Sequence, residues 1–190
     1  MSVDNILAIY DLASRNDRLE GKGWYPYALS ECSALADRYE IDRQRVVWAT
    51  AALSPQLKWE RNIRATRLVL EGWPKVAGVY PINVEKAWRI VYDGNLDVLN
   101  GPKVQSFARC IWGDPESVCV DTWAWRVWAG ADLWAKPPSL DRVYDAIAED
   151  YRTAARVIGL EPRQVQAITW VAFRRIANGH AFPGQLSLDI

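Results

Sequence analysis

Residues 99–127 read LNGPKVQSFARCIWGDPESVCVDTWAWRV, and this stretch decides the predicted fold. A glycine turn at Gly101 opens an apolar helix, Gly113 breaks it, and a second helix begins after Asp121. Backbone N–H groups at the start of a helix can bind a phosphate without reading base sequence. The stretch therefore predicts a hairpin-like helical joint near residues 94–103, with Asn100 and Gly101 in its turn.

Lys103 and Asp121 are the candidate chemical pair of this stretch. They lie 18 residues apart, a spacing that predicts an amine and a carboxylate facing one cavity in a compact helical joint. A lysine whose pKa is lowered by burial is a nucleophile, and a carboxylate can orient water or stabilise positive charge. An aspartate at a helix start also caps the helix by accepting backbone N–H bonds. The spacing leaves both interpretations open.

The rest of the chain shows helical periodicity and no alternating strand pattern. It predicts one all-α domain of eight to ten helices over residues 1–179, which can divide into two helical lobes with a cleft between them. Residues 43–53 are nearly apolar after their first turn, which predicts a central buried helix. A first helix is predicted from Ser2 to Ser14, ended by residues 15–17. Gly21, Gly23 and Pro26 then predict a loop before a helix over 28–39.

Composition excludes several classes of protein. The 190 residues carry 23 Lys and Arg against 23 Asp and Glu, so no long-range charge draws the chain to DNA or to a membrane. No segment is apolar enough for a signal or a membrane span, which predicts a cytoplasmic protein with no membrane partner. The three cysteines lack metal-ligand spacing, and we expect neither a bound metal nor a cofactor. The 11 Trp indicate a core of large rings, surfaces for stacking on flat ligands, or both.

The stretch VDTW at 120–123 with Arg126–Val127 resembles a motif of the helix-hairpin-helix-GPD superfamily of DNA glycosylases. That family has a glycine hairpin ending in a lysine, an apolar helix and then V-D-T-H before an R-V pair. Residues 52–56, ALSPQ, resemble the family's L-S-x-Q segment. The resemblance covers residues 46–130 and implies a helix-hairpin-helix-GPD fold of the endonuclease III type. The chain differs in its shorter hairpin, in Trp123 where the family has histidine, and in lacking the iron-sulfur cysteines, as in small phage-type members.

The resemblance assigns roles to individual residues of this chain. It implies that Asp121 stabilises the sugar cation that forms when an N-glycosidic bond breaks, and that Lys103 attacks C1′ to form a Schiff base. Gln56, beside Ser54, would fill the gap left in double-stranded DNA by a flipped base. Asn100, Gly101 and Arg126 complete the predicted DNA contacts. The predicted walls of the base pocket are Trp48, Trp59, Trp123 and Trp125, for which core packing is the other interpretation.

These roles predict a DNA-binding, base-flipping enzyme, most simply a DNA N-glycosylase, with lyase activity if Lys103 forms the Schiff base. Two alternatives use the same scaffold: an enzyme of DNA base hypermodification, and a non-catalytic adaptor of DNA or of the sliding clamp. Residues 180–190 are predicted to form a flexible tail. Its QLSLDI ending resembles the peptide that docks on the bacterial sliding clamp, which implies binding through Gln185, Leu186, Leu188 and Ile190.

Overall fold

The computed structural model describes residues 2–131 and 135–178, and in these residues the chain folds into nine α-helices with no β-strand. The predicted all-α class is therefore confirmed for this part of the chain. The helices are α1 Ser2–Asp11, α2 Arg15–Tyr39, α3 Arg43–Leu53, α4 Trp59–Leu70, α5 Pro81–Asp93, α6 Pro102–Trp112, α7 Thr122–Ala129, α8 Tyr144–Ile158 and α9 Pro162–Asn178. The predicted tail, with its clamp motif, lies outside the described residues.

The chain divides into two compact units. We call residues 27–112 the central unit, and the described residues of 2–26 and 113–178 the terminal unit. In the terminal unit, α1 packs on α7, α8 and α9. Its core includes Ile6, Ile147 and Tyr151, all fully buried.

Helix α3 lies at the centre of the central unit, as predicted, and contacts α4, α5 and α6. Small side chains such as Ala49 and Ala52 let the neighbouring helices approach closely. Asp42 caps the helix by accepting a bond from the Arg45 amide at 3.0 Å. One buried hydrogen bond joins α3 and α4: the Thr66 hydroxyl donates to Thr50 Oγ1 at 3.1 Å.

The loop predicted at Gly21, Gly23 and Pro26 is wrong, because α2 runs unbroken from Arg15 to Tyr39. Ser14 and Asp17 start this helix by reciprocal capping: the Ser14 amide donates to Asp17 Oδ2 at 2.7 Å, and the Asp17 amide donates to Ser14 Oγ at 3.1 Å. Gly21 is required by close packing, since a Cβ there would lie 2.5 Å from the Ile168 Cα. Tertiary packing thus overrides the weak helix propensity of glycine.

The end of the first predicted helix also shifts by a few residues. This helix ends at Asp11 rather than Ser14, since the capping pair at Ser14 and Asp17 belongs to α2. Helix α8 begins at Tyr144, after the 3₁₀ turn Leu140–Arg142. Helix α5 begins at Pro81, a residue that suits the first helical turn.

Candidate functional site

Asp121 is a buried carboxylate at the start of α7, with only 4% of its surface exposed. It is the N-cap of the helix, and its Oδ1 accepts a bond from the Ala124 amide at 2.8 Å. The predicted capping role is therefore confirmed. A hydrogen bond to a helix amide fixes the direction of a carboxylate.

Tyr144 holds the extended segment that leads to Asp121. Its hydroxyl donates to the Val118 carbonyl at 2.8 Å and accepts from the Val120 amide at 3.1 Å. All three residues are buried, so the ring of Tyr144 fixes a backbone that has no strand partner among the described residues. Asp121 follows directly, and its Cα is positioned by this contact.

Tyr151 is a second tyrosine whose hydroxyl approaches α7, and it is fully buried. Its hydroxyl is 3.5 Å from the Ala124 carbonyl and 3.3 Å from Thr169 Oγ1. Burial raises the pKa of Tyr151 well above its usual value. The hydrogen bond to Thr169 lowers this pKa by a smaller amount, and the charge of Asp121 raises it. A neutral phenol therefore stands within electrostatic reach of the carboxylate.

Trp123 is contacted by two cations. The Arg126 guanidinium carbon is 4.8 Å from the centre of its ring, and that of Arg174 is 5.8 Å away. Arg174 also lies 4.6 Å from the ring centre of Trp170. Cation–π contacts of this length stabilise each guanidinium against a ring face. The Arg126 Nε donates to the Ala135 carbonyl at 3.1 Å, which orients that side chain further.

The other predicted pocket tryptophans are divided among different environments. Trp59 is 2% exposed and belongs to the core of the central unit. Trp48 is half-buried in the same unit and packs edge-on against Trp112, with ring centres 6.2 Å apart. Trp125 is half-buried and packs on the core of the terminal unit. Core packing therefore accounts for Trp59, and the other three side chains keep some exposed surface.

Lys103 lies in the first turn of α6, in the central unit, and is half-buried. Gly94 ends α5 in a left-handed conformation, a 3₁₀ turn spans Leu96–Val98, and Gly101 has φ +97°. Only glycine adopts such a φ readily, so Gly101 permits the sharp turn into α6. The chain thus forms a helix–turn–helix joint over the predicted residues 94–103.

Side chains brace this joint from both helices. Lys86 on α5 donates to the side-chain oxygen of Asn100, and Gln105 on α6 donates to the Leu99 carbonyl at 2.8 Å. Leu99 is itself buried, which anchors the middle of the turn in the core. Asn100 and Gly101 are exposed, as a phosphate contact requires.

Gln56 lies on an exposed turn after α3, with φ +65°. Residues other than glycine, asparagine and aspartate rarely adopt this left-handed backbone conformation, which typically costs about 1 kcal/mol of strain. Ser54 is fully buried, and its hydroxyl donates to the Ala51 carbonyl at 2.9 Å. Ser54 thus supports the turn from inside, and Gln56 is the residue that it presents to solvent.

The predicted residues therefore fall into two groups. Asp121, Trp123, Trp125 and Arg126 belong to the terminal unit, whereas Lys103 and the other predicted DNA contacts belong to the central unit. Tyr144 and Arg174 were missed, because each reaches the α7 region through a contact that is distant in sequence. No local sequence pattern marks such contacts.

No group of three or more His, Cys, Asp or Glu among the described residues is arranged to hold a metal ion. The cysteines at 32, 110 and 119 are buried and form no disulfide. Burial raises the pKa of the Cys32 thiol to about 12, which keeps it protonated and unreactive at neutral pH. In residues 2–131 and 135–178, no helix has the length and apolar character needed to cross a membrane.

Over residues 1–177 the chain matches the Family of unknown function (DUF7178). It belongs to this family. No curated protein and no solved structure matches it. The match takes in both units of this DUF7178 protein, so its family relationship covers the buried carboxylate and the glycine joint alike.

The arrangement in this DUF7178 protein suits electrostatic chemistry at a carboxylate. Asp121 is buried, its direction is set by the Ala124 amide, and its backbone is held by Tyr144. A carboxylate fixed in this way can stabilise a developing cation without the cost of reorganising at the moment of reaction. The glycine joint separately offers the N-terminal amides of α6 to an anion.

Proposed function

We propose that this protein binds double-stranded DNA, flips a base out of the stack and acts on it, most simply as a DNA N-glycosylase. The observation that carries the proposal is the buried Asp121, fixed by the Ala124 amide at 2.8 Å. Cleavage of an N-glycosidic bond builds positive charge on the sugar, and a preorganised carboxylate stabilises that charge. The resemblance to the helix-hairpin-helix-GPD superfamily assigns the same role to this residue.

The glycine joint of the central unit supports the DNA part of the proposal. Gly101 at φ +97° leads into α6, whose first-turn amides suit a phosphate oxygen. Contacts to phosphate position a protein on DNA without reading its sequence. Lys103 is in the same turn, and in this proposal its amine attacks C1′ while the bond from C1′ to the base breaks. The base leaves with that electron pair and takes up a proton, and the C1′–O4′ bond then opens, with the second amine proton passing to O4′, to leave a Schiff base at C1′. The exposed Gln56 is the residue proposed to fill the vacated space.

The test uses a panel of duplex oligonucleotides that carry damaged, mismatched and hypermodified bases. Each is incubated with the protein, and its intact mass is measured before and after. Loss of one base by the wild type, absent with Asp121→Asn, is the expected result. Asparagine caps a helix about as well as aspartate, so this variant removes the charge and keeps α7 capped.

Asp42→Asn is the matched control, because Asp42 caps α3 in the same way and is exposed. It should release the base as the wild type does. A gain in mass that depends on an added donor would instead indicate group transfer to the base. No mass change on any duplex, with DNA binding retained, would replace the enzyme with an adaptor.

A further inference from the structure

A group of exposed aromatic rings lies at the junction of α4 and α5 in the central unit. Trp73 is 56% exposed and Tyr92 is 46% exposed, while Trp88 is half-buried. The Trp88 indole donates to the Trp73 carbonyl at 2.9 Å. Trp88 also stacks on Tyr92, with ring centres 4.3 Å apart and planes tilted by 34°. We call these three residues the aromatic face.

The aromatic face is fixed in place rather than loosely exposed. The Tyr92 hydroxyl donates to the Val69 carbonyl at 3.0 Å and lies 3.3 Å from the Leu70 carbonyl, both at the end of α4. The polar groups of Trp88 and Tyr92 are therefore satisfied by backbone carbonyls, while ring surface stays in water. Rings with fixed orientation lose little conformational entropy when a flat ligand stacks on them.

The net charge of the central unit favours a polyanion as the partner of the aromatic face. Arg89 precedes Tyr92 by three residues on α5, which makes the two side chains neighbours on the helix surface. Lys75 follows Trp73 in the adjoining loop. Within the part of the chain that the structure describes, neither of these exposed cations forms an ion pair. Residues 27–112 carry 12 Lys and Arg against nine Asp and Glu, although the whole chain is neutral.

The geometry points to a stacking site for unpaired bases of single-stranded nucleic acid on Trp73, Trp88 and Tyr92, with Arg89 and Lys75 contacting the phosphates. Ring faces that stack on bases, flanked by cations that follow the backbone, are the general means of binding single strands without sequence preference. A surface for an apolar protein partner would not need the flanking cations. This site is separate from Asp121 and does not depend on base excision.

The test measures binding of a fluorescently labelled oligo-dT by anisotropy, at low and at physiological salt. Trp73→Leu keeps an apolar side chain but removes the ring, whereas Trp73→Phe keeps a ring. The Leu variant should weaken binding about fivefold or more, and the Phe variant should stay close to the wild type. Tyr92→Leu should weaken binding similarly. Tyr27→Leu, at an equal 46% exposure on α2, is the matched control and should have no effect.

Failure to bind oligo-dT, or equal binding by Trp73→Leu and the wild type, would overturn the proposal. A dimer seen by sedimentation that Trp73→Leu dissociates, with oligo-dT binding unchanged, would make the face a protein contact instead. Asp121→Asn should bind oligo-dT as the wild type does. That variant separates the two proposals, because loss of base release leaves this binding site intact.

Discussion

Removing the Tyr144 hydroxyl should strongly destabilise the protein. In Tyr144→Phe the Val118 carbonyl and the Val120 amide lose their bonds of 2.8 and 3.1 Å, and both residues are buried. A buried polar group left without a partner costs about 1–3 kcal/mol. Two such groups give an expected loss of about 2–6 kcal/mol in the free energy of unfolding. The measurement is urea unfolding followed by circular dichroism, with midpoint and slope compared.

Tyr151→Phe is the informative comparison. Its hydroxyl contacts are longer, at 3.5 and 3.3 Å, and Thr169 keeps a bond of 3.0 Å to the Val165 carbonyl without it. We expect a loss of about 1 kcal/mol for this variant. Tyr27→Phe, on the exposed part of α2, should stay within about 0.5 kcal/mol of the wild type. A loss for Tyr144→Phe no greater than that for Tyr151→Phe would refute the argument that Tyr144 carries the segment before Asp121.

Three further results are expected. Gly21→Ala should destabilise the fold by more than about 1 kcal/mol in a thermal melt, since its Cβ would lie 2.5 Å from the Ile168 Cα. Gly23→Ala should stabilise the fold by about 0.5–1 kcal/mol, because a Cβ there meets nothing within 4 Å. A Gly23→Ala variant less stable than Gly21→Ala would contradict this packing argument. The Cys32 pKa of about 12 lies above its unfolded value, so its contribution is complete below pH 9 and stability should fall from pH 9 toward 12. Cys32→Ala should reduce this loss of stability between pH 9 and 12. A variant whose stability falls with pH as that of the wild type does would contradict the role given to Cys32. Borohydride added during base release should trap a DNA adduct on the wild type, and an equal yield from Lys103→Ala would exclude this amine as the nucleophile.

Local signals in the sequence account for much of the fold. Asp121 was predicted as a helix cap, and it accepts the expected amide bond. The buried character of α3 followed from its apolar run. Such features depend on residues three or four positions apart, so the sequence displays them directly.

The course of α2 was mispredicted because two local signals conflict. Gly21, Gly23 and Pro26 favour a loop, whereas Ser14 and Asp17 have the spacing of a capping pair that starts a helix. The capping pair predicts the helix correctly, because Gly21 serves close contact with α9 rather than a turn.

The candidate site was predictable only in part, for the same reason of distance along the chain. Asp121 and the glycine joint stand out in the sequence, but the burial of Trp59 and the guanidinium contacts of Trp123 arise from packing. Tyr144 lies 24 residues from the amide that it holds. Sequence periodicity does not reveal contacts between residues this far apart in the chain.

The two hydrogen bonds from Tyr144 to the 118–120 backbone also determine which fragments of this protein can keep Asp121 in its native position. In sheet proteins an extended segment is completed by its neighbouring strand, whereas here a phenol from α8 performs that task. A fragment that ends after α7 would retain the glycine joint and Asp121 in its sequence but would lose the Tyr144 hydroxyl that holds the backbone before Asp121. The smallest excisable piece with a formed Asp121 therefore reaches at least through α8, and grafting 99–127 onto another helical scaffold would require transplanting Tyr144 as well.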